Sequence, residues 1–262
     1  ALSFILSVAY ANFLSKDTFG TYKYILSVGS IFLTFSLAGL GIALTQSVAR
    51  GFDKTLQSAF WTQLKWGIGL PAVAICAAIY YYLNDNNTLA ISMLIIGAFS
   101  PLSQAAGLFL SFLSGKKEFK TKAIFDVWYN LFPTLVILGT VAVTENPVMI
   151  VFSYFASFTL SALFFFFKTT KKYPGSDPLG PETLSYSKHL SAVNILSTVA
   201  SSLDKILIFH YLGAVQLAIY ALAVAPATQI SSFLKAIITL SFPKLAGNTP
   251  DNILATLPDK IK

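Results

Sequence analysis

The chain has 262 residues, of which 55% are hydrophobic and only 11% charged, with a formal net charge of +7. Soluble domains carry about 25% charged residues, and a surface this poor in charge does not stay dispersed in water. The composition excludes a soluble enzyme, a nucleic-acid binder and a disordered chain, so the basic excess is first a matter of membrane topology.

A helical membrane span needs about 20 mainly apolar residues. Eight stretches qualify or nearly qualify, which predicts an all-α, polytopic membrane helix bundle. The first, Ala1 to Leu14, opens inside an apolar run with no start methionine and no charged leader, so a truncated first helix of a longer protein is expected. The second runs from about Tyr24 to Val48 and the third from Leu64 to Leu83. The polar turn Asn84-Asp85-Asn86-Asn87 precedes the fourth, Leu89 to Leu113. The fifth runs from Ala123 to Val143, the sixth from Val148 to Phe167, the seventh from Tyr186 to Leu212 and the eighth from Leu217 to Leu240. Barrel strands alternate apolar and polar residues, whereas runs such as Leu163-Phe164-Phe165-Phe166-Phe167 are continuous.

Lysine and arginine fall on every second loop. Arg50, Lys54, Lys65, Lys116, Lys117, Lys120, Lys122, Lys168, Lys171, Lys172 and Lys188 lie on one side, with Lys235, Lys244, Lys260 and Lys262 of the tail. Only Lys16 and Lys23 lie on the other, and Lys205 is within span seven. The positive-inside rule makes the crowded side cytoplasmic, which predicts a plasma (inner) membrane protein with a cytoplasmic N-terminus.

The longest connection, Lys168 to Ser185, holds Pro174, Gly175, Pro178, Gly180 and Pro181 and reads as a linker. It predicts a six-helix N-terminal lobe at 1–167, a cytoplasmic linker at 168–185, and the first two helices of a second lobe at 186–262. A shift that lays Leu14 on Leu212, Tyr22 on Tyr220 and Phe35 on Phe233 aligns the span patterns, although identities stay near chance. Such copies share one orientation, the geometry of a parallel repeat about the membrane normal.

Pro71, Pro101, Pro133 and Pro226 lie well inside spans. Each removes a backbone hydrogen bond, and in a membrane the freed carbonyl needs a partner or a wet cavity. Gln104 follows Pro101 by about one turn, and Asn130 precedes Pro133; Asn130 is a candidate substrate contact. Asp204-Lys205 is the sharpest feature, because charges inside a span are costly and face protein or water. The pair is either a cavity cation with an acid that steers it or couples an ion, or a snorkelled pair near the interface. Neighbours in sequence point about 100° apart on a helix, so they need not bond each other. Asp126 lies four residues after Lys122, where an i,i+4 pair accounts for it; with Asp204 it is also a candidate coupling acid. Lys65 and Lys23 lie at span ends and can snorkel, and Lys65 is kept as a candidate substrate contact.

No metal, cofactor or catalytic constellation is predicted. Cys76 is the only cysteine, and His189 and His210, if on one helix, stand roughly 31 Å apart. The outer loops offer only Asp17, Asp85 and Glu145 as acids, and no Gly-rich phosphate loop is present.

Ser15-Lys16-Asp17-Thr18-Phe19-Gly20-Thr21-Tyr22, a span ending Ala38-Gly39-Leu40-Gly41, and Ala49-Arg50-Gly51 follow one another near the start. Gly115-Lys116-Lys117-Glu118-Phe119-Lys120 precedes span five. Ser202-Leu203-Asp204-Lys205-Ile206-Leu207-Ile208, Tyr211-Leu212-Gly213 and Ile219-Tyr220-Ala221-Leu222-Ala223 come later. In this order they resemble the Wzx-type polysaccharide-biosynthesis flippases of the multidrug/oligosaccharidyl-lipid/polysaccharide superfamily. The resemblance implies two six-helix lobes around a central cavity and flipping of a polyprenyl-diphosphate-linked oligosaccharide to the outer leaflet. It implies cationic contacts to the diphosphate, with Lys205 on the helix-seven motif and Arg50 at the end of helix two. Membrane lipids and other polysaccharide-assembly proteins are the expected partners, and no nucleic acid. The other readings are a drug/cation antiporter of the same superfamily, for which Ala1 to Leu14 holds no coupling acid, and a non-transporting membrane assembly protein.

Overall fold

The computed structural model describes residues 2–228, with side chains from residue 5, and every regular element among them is a helix. α1 (Leu2–Phe13) covers the first predicted span. The second span is not one helix: α2 (Lys16–Thr34) and α3 (Leu40–Ala49) are separated by a turn at 35–39. α4 (Leu56–Gly67) and α5 (Gly69–Leu83) form the third, with a bend at Ile68. α6 (Asn87–Gly115), α7 (Phe119–Val143), α8 (Pro147–Lys172) and α9 (Pro181–Leu212) match spans four to seven. α8 and α9 extend into the predicted linker and leave only 173–180 outside helix. A shorter apolar helix, Ala214–Thr228, opens span eight. The rest of that span, Phe233 of the repeat and the tail lysines lie outside the described residues. The chain divides into compact units Ala1–Ile219 and Tyr220–Lys262.

Polar caps set the clean boundaries. The Ser15 hydroxyl accepts from the Thr18 amide, and Asn86 accepts from the Leu89 amide. Asn146 accepts from the Val148 amide, with Pro147 in the first turn of α8, where its missing N–H costs nothing. Gly213 ends α9 at φ 89°, a conformation open mainly to glycine.

Two of the four prolines show the expected consequence. Pro71 cannot bond the Gly67 carbonyl, and the bend at Ile68 lies between the two. In α7, Pro133 frees the Tyr129 carbonyl, and the Ser161 hydroxyl of α8 donates to that oxygen at 3.2 Å.

α6 is the central helix, packed on α3, α4, α5 and α8. Lipid tails are as apolar as leucine, so close approach and hydrogen bonds hold such helices together. A Cβ on Gly97 would meet the Ala74 Cβ at 2.6 Å, and one on Gly67 would meet Pro101 at 3.3 Å, so the α4–α5 stretch and α6 touch nearly backbone to backbone. Thr45 donates to the Ser111 carbonyl at 3.0 Å, tying α3 to α6. On the outside, large apolar side chains are bare: Val143 is 87% exposed and Leu196 75%. Among the described residues five helices are long and apolar enough to cross a membrane, and a bare apolar surface of this kind suits contact with lipid. The protein is an integral membrane protein.

The turn at 35–39 is built from both sides. The Thr34 and Ser36 hydroxyls bond back to the Ile31 and Leu33 carbonyls, which competes with helix continuation. Leu37 then takes φ 51°, a strained value for a leucine, and is buried. From α4, Gln63 donates through Nε2 to the Ser36 carbonyl. From α9, the Ser191 hydroxyl accepts from the Gly39 amide at 2.9 Å.

Candidate functional site

α9 lies along α2 and α3 in one antiparallel register. A Cβ on Gly20 would strike the Ala214 carbonyl, Tyr24 stacks on Phe209 at 3.9 Å, Ser30 bonds Ser202 at 3.0 Å, and Gly39 meets Ser191. Small residues at 20, 30 and 39 let the backbones approach. Opposed directions are what the alternating loops require of spans two and seven.

Lys23 of α2 and Lys205 of α9 both lie along this seam, within electrostatic range of each other. The Lys23 ammonium stands over the Phe19 ring at 5.2 Å. Lys205 Nζ donates to the Ser201 carbonyl at 2.6 Å and lies 3.4 Å from Asp204 Oδ1. The two neighbours therefore do pair, although helix geometry alone does not demand it: Asp204 Oδ1 also accepts from the Lys205 amide at 2.8 Å, which turns the carboxylate toward its neighbour. Two ammonium groups and one carboxylate line this seam, a net positive charge that attracts an anion. Beside it, the Tyr24 and Tyr81 hydroxyls lie 2.6 Å apart and bridge α2 to α5.

In the sequence Lys23 reads as a span-end lysine that can snorkel, whereas the structure places it two turns into α2 and on one seam with Lys205.

The other predicted residues stand elsewhere. Arg50 caps α3 and lines a separate cavity of about 630 Å³ with Glu182 and Tyr186 of α9. From Glu182 to Lys205 along α9 is roughly 35 Å at 1.5 Å per residue, so Arg50 and Lys205 cannot hold one diphosphate. Lys65 is exposed in the last turn of α4. Asp126 does not pair with Lys122. Its Oδ1 instead accepts from Asn130 Nδ2 at 3.1 Å, because Asn130, one turn on, lies on the same face and also reaches the Asp126 carbonyl. Asn130 lines an uncharged, half-open cavity of about 610 Å³ bordered by α2, α3, α4, α6, α7 and α8. Gln104, noted for its place after Pro101, lines the same cavity.

The loop motif Gly115 to Lys120 makes a small cross-linked knot. Lys116 reaches Asp53 at 2.6 Å, and the hydroxyls of Tyr173 and Thr121 both donate to Glu118 at 2.8 Å. The Tyr173 bond first, then Thr121 and the Lys172 ammonium, hold the Glu118 carboxyl below the usual carboxylate range. The knot ties the α6–α7 connection to the end of α8.

A family model described as polysaccharide biosynthesis protein matches residues 1–248. No curated protein and no solved structure matches the chain. The match takes in α1 through α9, the broken second span and the lysine seam alike. The chain belongs to the polysaccharide biosynthesis protein family.

Proposed function

We propose that the protein flips a polyprenyl-diphosphate-linked oligosaccharide, such as an O-antigen, teichoic-acid or capsule-like repeat unit, to the outer leaflet of a prokaryotic plasma membrane. The family is one of polysaccharide-related membrane transporters rather than enzymes. The observation that carries the finer reading is the Lys23–Lys205 pair on the α2–α9 seam. A diphosphate entering a bilayer needs cations, since an unpaired charge there costs about 2.5–3.5 kcal/mol even on the mildest scales. Two lysines, one already neutralised by Asp204, attract it without the grip of a bidentate arginine cage. Binding must stay weak enough for release.

The loop charges support a cytoplasmic side at Arg50 and an outer half at Lys23 and Lys205. On this reading Arg50 receives the diphosphate on the loading side, and the lysine pair receives it roughly 35 Å on, near the releasing side. Asp204 has the coupling role of the two acids, because it alone touches a cation of the seam. The lobe beginning at residue 186 is part of the same reading: α9 would be the first helix of the second half, docked on the first through Gly39 and Gly20.

Deleting the gene tests this. Cells should accumulate the lipid-linked glycan in the cytoplasmic leaflet, and the intact gene should clear it. Unchanged glycan at the cell surface and no accumulated precursor would leave the flippase reading without support.

A further inference from the structure

The uncharged cavity beside the broken second span has no role in the diphosphate scheme. We propose that it is a binding site for a neutral sugar ring, so that the glycan part of the cargo has a station distinct from that of its diphosphate. This rests on the reading of a glycan-bearing cargo. Its volume, about 610 Å³, lies within the ~300–1,000 Å³ of small-molecule sites. No Asp, Glu, Lys or Arg is among the residues lining it. The polar lining is amides and hydroxyls, among them Gln63, Ser100, Ser103, Gln104 and Asn130. Amides and hydroxyls donate and accept, which matches hydroxyl-rich ligands and offers nothing to a diphosphate's charge.

Two of these side chains are unfinished. Gln63 is 3% exposed and Ser100 1%, and both line the cavity. Gln63 Oε1 and Ser100 Oγ have no hydrogen-bond partner. Buried polar atoms are nearly always bonded, and these two lie just behind the cavity wall, where a small side-chain adjustment on binding lets a ligand or ordered water complete them. Gln63 is also held in place, since its Nε2 is spent on the Ser36 carbonyl. The lining is also aromatic: Phe158 lies 4.8 Å from Tyr154 and 5.6 Å from Tyr129. Ring faces pack on the apolar C–H face of a sugar, while hydroxyls and amides take its rim, the few-polar, mostly apolar pattern of ligand pockets.

The test uses the purified full chain in nanodiscs and an N-acetylglucosamine carrying a diazirine, with the cross-linked peptides mapped by mass spectrometry. The label should fall on α6 near Ser100 and Gln104 and on α7 near Asn130. Free N-acetylglucosamine should compete with it, and inorganic diphosphate should not. Ser100→Ala with Gln104→Leu should cut labelling at least five-fold at an unchanged melting temperature, because Ser100 loses no bond and neither residue braces the turn. No specific label, or label insensitive to these substitutions, overturns the proposal and leaves the cavity to water. Competition by diphosphate overturns it in favour of an anion site. If the double variant loses labelling and the deletion assay shows no role in glycan export, the sugar site stands and the flippase reading fails. If export depends on the protein and the cavity takes no sugar, the reverse holds.

Discussion

Lys205→Ala is expected to lower glycan export by roughly 10- to 100-fold at normal membrane abundance. A hydrogen bond to a charged group contributes about 1.5–3 kcal/mol, and each 1.4 kcal/mol is about tenfold. Lys205→Arg should keep part of the activity, since the charge stays and only the geometry changes. Lys23→Ala should also lower export, because Lys23 places a second cation on the same seam, within electrostatic range of Lys205. Combining the two alanines should cost less than the product of the single losses, as expected of groups that act on one ligand atom cluster. Precursor accumulation and surface glycan, normalised to immunoblotted protein, read this out. If both single alanine variants export normally, the lysines only snorkel, and the anion site is misplaced.

Gly39→Ala is expected to be among the most destabilising small substitutions in the chain. A Cβ there would sit 2.5 Å from the Leu190 Cβ and from the Ser187 carbonyl oxygen, and 2.8 Å from the Ser191 amide nitrogen. Two of these three are α9 backbone, which cannot rotate aside as a side-chain tip can. α9 must retreat, and the 2.9 Å bond from Gly39 to Ser191 stretches or breaks. Overpacking costs about 1–3 kcal/mol, and a lost hydrogen bond adds about 0.5–1.5 kcal/mol. Gly139→Ala is the control, since nothing lies within 4 Å of a Cβ at that helical position. Thermal unfolding in detergent should show a clear drop for Gly39→Ala and none for Gly139→Ala. Equal melting would mean that α9 is not docked on the turn.

Spans four to seven were legible because apolar runs there end in residues with a defined capping job, Asn86 and Asn146 above all. Pro71 announced a bend and Pro133 an orphan carbonyl, since both follow from the missing N–H. The break at 35–39 was not legible. Phe35-Ser36-Leu37-Ala38-Gly39 is nearly as apolar as the helix around it, and the local Thr34 and Ser36 hydroxyls open it only with the braces from Gln63 on α4 and Ser191 on α9. Composition carries no trace of a tertiary brace. The site was legible in the same partial way. A lysine and an aspartate inside a span declare themselves by cost, but Lys23, near a span end, has a cheap explanation until α9 is laid beside it. Arg50 and Lys205 were grouped because the resemblance gives both a cationic role, and the length of α9 separates them. Asp126 looked paired by spacing with Lys122, yet Asn130, one turn away on the other side, is the group that reaches it.

Transbilayer movement in a defined membrane is the most direct test of the central claim. The purified protein is reconstituted into vesicles containing a fluorescent polyprenyl-diphosphate oligosaccharide, and an impermeant quencher is added outside. With the protein present, fluorescence from the inner leaflet should become quenchable well faster than in empty vesicles. Vesicles with the Lys23→Ala/Lys205→Ala protein should behave nearly as empty ones. An exchange rate equal to that of empty vesicles, or one unchanged by the double substitution, would contradict the account.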